Sequence, residues 1–217
     1  FSDLIKRGCS CILFSATLFP VDFHQKMLFN DTLHPYTINL PSPFPKENFK
    51  IIIHQGIKTS YKARNRYYQK IATLICDVIN SKKGNYMIYF PSYTFLNIIT
   101  ECIDKDDFEN DILTQFPNMT EPERQNFLDR FSSGRAVAGF VVMGGIFGEG
   151  IDLVGDHLIG AVIVSPGIPQ ICPERDLIKK YYDQQDHTGF YKSYQMPGFN
   201  RVMQAAGRVI RTHKDKG

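Results

Sequence analysis

Apolar residues recur along this chain in two rhythms. Short β-rich runs at 10–15, 51–54, 86–90, 111–115, 137–143 and 158–165 predict strands. Between them, apolar positions at helical spacing predict helices at about 61–81, 92–105, 122–132, 175–185 and 197–212. Strands alternating with helices predict an α/β domain built on a mostly parallel sheet. The segment around Phe127 carries the clearest punctuation: Thr120 and Glu123 make a capping box, and Phe127, Leu128 and Phe131 supply an apolar stripe. A proline-dense stretch at 41–45 reads as an extended linker between an entry segment, 1–40, and a main body, 41–217, of the same domain. Neither an internal repeat nor a low-complexity tract is present.

Composition narrows the class. With 217 residues, 43% of them hydrophobic and 22% charged, the chain can bury a real core and is neither disordered nor collagen-like. The apolar runs stop far short of the roughly 20 residues that a membrane helix needs, and no secretory signal opens the chain, so a cytoplasmic protein without membrane contact is expected. A net charge of +3 does not identify a nucleic-acid binder, so any basic surface must be local. Cys9, Cys11, Cys76, Cys102 and Cys172 lack the clustered pairs of zinc or iron–sulfur sites. They read as buried free thiols in a reducing compartment, with no metal site.

Four segments carry candidate chemistry. In 197–212, Phe199, Val202, Met203, Ala206, Val209 and Ile210 share one helical side, while Arg201, Gln204, Arg208 and Arg211 fall at intervals of 3, 4 and 3 on the other. That polar side is either a solvated face or a polyphosphate-binding one. Ala205, Ala206 and Gly207 favour the second, because small residues allow close backbone approach beside guanidinium forks. After the run ending near Met143 comes a glycine loop with Gly144, Gly145, Gly148 and Gly150 and the carboxylates Glu149 and Asp152. Such a loop at a strand's carboxyl end is either a ligand loop or a plain tight turn. Ser92, after Pro91, is placed to cap a helix whose N-terminus either is simply capped or binds a phosphate. Ser15-Ala-Thr17 follows the first run as a turn. Lys58, Lys62, Arg64, Arg66 and Lys70 alternate with Tyr61, Tyr67 and Tyr68, a mixture suited either to a solvated helix or to a single strand's backbone and bases.

The order S-A-T-L, Y-F-P-S-Y, G-E-G-I-D-L and Q-A-A-G-R-V-I-R resembles the second-half motif series of superfamily 2 helicases, and more narrowly the C-terminal RecA-like domain of the DinG/XPD family of ATP-dependent DNA helicases. The resemblance implies a RecA-like three-layer α/β sandwich and a fragment of a longer protein, of which Phe1 and Gly217 are edges. By that resemblance Arg208 and Arg211 are arginine fingers and Gln204 stands near the γ-phosphate. Gly148, Glu149, Gly150 and Asp152 form the nucleotide-approaching loop, while Ser15, Thr17, Ser92 and Tyr93 serve single-stranded DNA. It further implies ATP with Mg²⁺, monomeric 5′-to-3′ translocation and unwinding, and roles such as DNA repair. Any iron–sulfur cluster would belong to the first motor domain. No G-x-x-x-x-G-K-[ST] loop and no magnesium-holding acid pair occurs in the sequence, so the chain alone is expected to be inactive and to work with a first RecA-like domain of the same polypeptide. The alternative is a non-catalytic nucleic-acid-binding module with the same fold.

Overall fold

A computed structural model of the chain describes residues 5, 7–18, 20–29, 35–104, 109–148 and 150–217. Two compact units emerge, Phe1–Pro43 and Phe44–Gly217. The first holds helix α1 (Val21–Phe29), which buries none of its residues.

The second unit is built on a parallel sheet. Strands β1 (Tyr86–Phe90), β2 (Asp111–Thr114), β3 (Val137–Val142) and β4 (Gly160–Ile163) lie in the order β2-β3-β1-β4. Register is set by Tyr86 opposite both Ala138 and Gly160, and by Asp111 opposite Val137. Helices α2 (Tyr68–Ser81), α3 (Tyr93–Glu101), α4 (Glu121–Asp129), α5 (Pro173–Asp186) and α6 (Met196–Ala206) surround it.

The period of two along β1 explains the layers. Tyr86, Ile88 and Phe90 face one core with Ile71, Ala72, Ile75 and Ile79 of α2 and Phe95, Leu96 and Ile99 of α3. Met87 and Tyr89 face a second core with Phe127, Phe131, Phe147, Ala205 and Val209. Every β1 residue is buried, as a central parallel strand covered on both faces must be. The three-layer RecA-like α/β expectation therefore holds.

Caps fix the helix starts. Ser92 Oγ accepts from Phe95 N at 3.3 Å and opens α3. Thr120 and Glu123 close the expected capping box, with Glu123 Oε2 accepting from Thr120 N at 2.7 Å, and this bond holds the carboxyl below its ordinary range.

Several expectations fail for physical reasons. The runs at 10–15 and 51–54 are not strands: Ile12 and Phe14 are 84% and 90% exposed, and among the described residues no neighbouring strand pairs with either run. β-Propensity without a ladder partner does not make a strand. The helix expected from 61 begins as a turn and a 3₁₀ segment (Arg64–Tyr67) before α2. The helix over 92–105 stops at Glu101, and Lys105 lies outside the described residues. The cysteines form no disulfide, but they are not buried: Cys9 and Cys11 are exposed, and Cys76, Cys102 and Cys172 are half-buried. Among the described residues no His, Cys, Asp or Glu group has metal-binding geometry, and no helix is long and apolar enough to cross a membrane.

Candidate functional site

At the carboxyl edge of the sheet, β3 runs directly into the glycine loop. Met143 N still reaches Phe90 O at 2.7 Å, and the chain then turns through Gly145 N to Val142 O at 3.1 Å and Gly148 N to Gly145 O at 2.8 Å. Gly144 and Gly150 take φ of +72° and +67°, a region that side-chain-bearing residues rarely enter. Phe147, Ile151 and Leu153 drop into the second core and anchor the loop from below.

Three arginines hold the loop's carbonyls. Arg208 Nη1 donates to Ile151 O at 2.9 Å and Nη2 to Gly148 O at 2.8 Å. Arg211 Nη2 donates to the same Ile151 O at 3.1 Å, and its Nε lies 3.6 Å from Asp152 Oδ1. From α4, Arg124 donates to Ile146 O at 3.2 Å and Gly150 O at 3.0 Å, and pairs with Glu121 at 2.9 Å. Each of these bonds is charge-assisted, the stronger class of hydrogen bond.

The expected helical arginine face is corrected here. Helix α6 ends at Ala206 with Gly207 as its cap, so Arg208 and Arg211 stand beyond it instead of on its side. Arg208 N and Val209 N turn back tightly to Ala205 O at 3.2 Å and Ala206 O at 3.3 Å. Val209 and Ile210 then plunge into the interior. Asp215 captures the next backbone groups, accepting from Arg211 N, Thr212 N and Thr212 Oγ1, each at 2.7 Å. Burial opposes ionisation of this carboxyl, but the hydrogen bonds from Thr212 and the backbone outweigh it and hold it below its ordinary range. The apolar side is corrected too, since Phe199 and Met203 are exposed while Ala205 is buried.

Behind the arginines, Met143, Gly144, Gly148, Arg201, Gln204 and Ala205 line a cleft of about 120 Å³. Arg201 donates to Gly167 O at 2.7 Å and packs so closely on Gly144 that a Cβ there would sit 3.0 Å from its Nε. Tyr89 lies fully buried beneath, and burial pushes its hydroxyl up to about 12, although Arg208 and Arg211 pull the other way. Its Oη has no hydrogen-bond partner among the described residues, nor does the buried Nε of Arg211.

The second cluster is Ser92 with Tyr93, at the end of β1. Gln115, buried after β2, donates to Tyr93 Oη at 2.8 Å and accepts from Val142 N at 2.8 Å, so its amide bridges the start of α3 and the foot of the glycine loop. Thus Gln204, Arg208, Arg211, Gly148, Gly150 and Asp152 gather at one sheet edge, and Ser92 and Tyr93 join them through Gln115. Ser15 and Thr17 belong to the first unit, where Thr17 N donates to Ser15 Oγ at 3.1 Å in a local turn. Glu149 lies outside the described residues. Sequence reading missed Arg124 and Gln115 as site residues. The capping box marked the helix of Arg124, but nothing local announced carbonyl partners 22 and 26 positions away.

A parallel sheet sandwiched between helices, with an arginine-held glycine loop at its carboxyl edge, defines a RecA-like α/β domain. Residues 75–217 match the helicase C-terminal domain family, and the chain belongs to it, as a C-terminal helicase domain of the DinG/XPD family. A probable ATP-dependent helicase of Methanocaldococcus jannaschii is 27% identical over 193 residues, covering 82% of this chain and 29% of the relative. A regulator of telomere elongation helicase 1 homologue of Aedes aegypti is 26% identical, covering 98% and 23%. The 3′-5′ exonuclease DinG of Staphylococcus saprophyticus is 24% identical, covering 90% and 20%. The chain thus spans less than a third of each of these relatives. A structure of apo XPD superposes with a TM-score of 0.61 at 19% identity, over 74% of this chain and 32% of the other, and agrees in fold.

Proposed function

We propose that this chain is the second motor domain of an ATP-dependent DNA helicase, and that its sheet edge supplies one wall of a nucleotide site shared with a first RecA-like domain of the same polypeptide. The observation that carries the reading is the convergence of Arg208 and Arg211 on the glycine-loop carbonyls of Gly148 and Ile151.

The residues suit a polyphosphate. Two permanently charged forks converge on Ile151 O, and the Nε of Arg211, buried without a hydrogen bond, has the Asp152 carboxylate at 3.6 Å as an ion-pair partner for which a phosphoryl oxygen would compete. A cleft of about 120 Å³ is too small for a whole nucleotide, as expected of half a site. In this reading Arg208 and Arg211 stabilise charge that develops during phosphoryl transfer, while Gln204 orients groups near the terminal phosphate. Gly148, Gly150, Asp152 and Glu149 shape the loop against the nucleotide. Mg²⁺, held with ATP by the first domain, would neutralise phosphate charge. Ser92, Tyr93, Ser15 and Thr17 contact a DNA single strand, and translocation runs 5′ to 3′.

The test is DNA-stimulated ATP hydrolysis by the full-length protein, wild type against Arg211→Ala. Turnover should fall by about 10³-fold or more with single-strand binding retained. Equal turnover would sink the arginine-finger role and favour a non-catalytic nucleic-acid-binding module.

A further inference from the structure

The basic, tyrosine-rich stretch ahead of α2 folds into a layered stack. The guanidinium carbon of Arg64 lies 4.7 Å from the ring centroid of Tyr61 and 5.0 Å from that of Phe95. Phe95 is fully buried and meets Tyr68 edge-on at 5.3 Å and Phe90 at 6.3 Å. Tyr61, Arg64 and Phe95 therefore form a column rising out of the core, and its outermost member, Tyr61, is 81% exposed.

The segment 57–70 contains five cations and no carboxylate. Lys58, Lys62, Arg66 and Lys70 are exposed, and none of them pairs with a carboxylate among the described residues. The Nε of Arg64 is buried without a hydrogen-bond partner. The column also starts one helical turn from Ser92, whose hydroxyl holds the N–H of Phe95 at 3.3 Å.

We propose that Tyr61 is a stacking platform for a base of single-stranded nucleic acid, pre-ordered by Arg64 beneath it and flanked by Lys58 and Lys62 for the backbone. The inference rests on the nucleic-acid reading above and adds to it a site outside the helicase motifs. A base on the free face of Tyr61 continues the column outward, and Arg64, gripped between two rings, cannot swing away. Any base presents a π-face, so the platform is indifferent to sequence. Because the internal bases of a duplex are covered on both faces by their neighbours, it favours single strands over duplex.

The experiment measures binding of fluorescein-labelled oligothymidylate, oligouridylate and a blunt DNA duplex to the full-length protein by anisotropy. Tyr61→Leu keeps an apolar cover over Arg64 without a π-face, and should weaken single-strand binding about tenfold while leaving duplex binding unchanged. Tyr61→Phe should bind as wild type. Lys62→Ala should lower the salt slope of single-strand binding by roughly 0.7. Wild-type affinity in Tyr61→Leu overturns the platform but leaves the helicase reading standing. Equal losses on single strands and duplex also overturn it, since they indicate a general change. A wild-type protein that binds none of the probes overturns both readings.

Discussion

Arg208→Ala is the perturbation that probes the site most sharply, because the same side chain holds the glycine loop and is proposed to serve the nucleotide. Its removal deletes two charge-assisted bonds, to Ile151 O at 2.9 Å and Gly148 O at 2.8 Å. Hydrogen bonds to charged groups contribute about 1.5–3 kcal/mol each. The two losses are unequal. Ile151 O keeps Arg211 Nη2 at 3.1 Å, and water reaches the half-buried site, so the net cost should lie near one full bond, about 2 kcal/mol. For a chain of this size that is a fall of roughly 4–8 °C in Tm. Thermal and urea unfolding of wild type, Arg208→Ala and Arg208→Lys would measure it. Lysine restores the charge but cannot fork across two carbonyls, so it should fall between the others. Arg208→Ala within about 0.5 kcal/mol of wild type would falsify the claim that these bonds hold the loop. If stability falls as expected but DNA-stimulated turnover in the full-length protein does not, Arg208 is a loop tether alone.

The remaining expectations concern neighbouring groups. Tyr89→Phe removes a buried hydroxyl that has no partner among the described residues, and should leave unfolding unchanged or raise its midpoint; a loss above about 1.5 kcal/mol would reveal a bond that the geometry does not contain. Gly144→Ala forces a side chain into φ +72° and a Cβ to 3.0 Å from Arg201 Nε, and should cost about 1–3 kcal/mol by urea unfolding, a wild-type midpoint counting against it. Asp215 is held below its ordinary range in the fold, so its stabilisation is complete above the unfolded value near 3.9 and drains away as pH falls below it; Asp215→Ala should flatten that part of the unfolding-midpoint profile, and an unchanged acid limb would rule it out. Gln115→Leu strands Val142 N and Tyr93 Oη together, and should cost about 1–3 kcal/mol, whereas Tyr93→Phe alone should cost less; the reverse order would contradict the bridging geometry.

The two central strands were legible because a parallel strand buried on both faces reads as a near-continuous apolar run, as 86–90 and 137–143 do, whereas the half-buried edge strands β2 and β4 were marked by shorter apolar runs. The starts of α3 and α4 were legible because their caps are local, set by Ser92 and by Thr120 with Glu123. The end of α6 was not. Helical spacing continues through Arg211, but the helix closes at Gly207 and Arg208 N and Val209 N turn back to Ala205 O and Ala206 O, after which Asp215 takes the N–H groups of Arg211 and Thr212 and keeps the helix from resuming. Isoleucines at 51–53 mimic a buried strand but have no ladder to join among the described residues. The loop's arginine tethers were invisible because a side chain reaching a distant backbone carbonyl leaves no periodic trace, as Arg124 shows with Gly150.

These tethers bear on how a proposed arginine finger can work. Two of Arg208's bonds go to the neutral carbonyls of Ile151 and Gly148, and a phosphoryl oxygen would compete for those donors with the advantage of a full charge over a dipole. The exchange would release Gly148 O and one of the two arginine bonds on Ile151 O. The loop need not collapse when that happens, because Arg124 of α4 keeps Ile146 O and Gly150 O and Phe147 stays anchored in the core. Under the proposed exchange, arginine departure and loop integrity would be carried by different elements, the segment after α6 and α4. A motor that must repeat the exchange at every turnover requires that separation, since a loop held by its fingers alone would loosen each time they reached for the nucleotide.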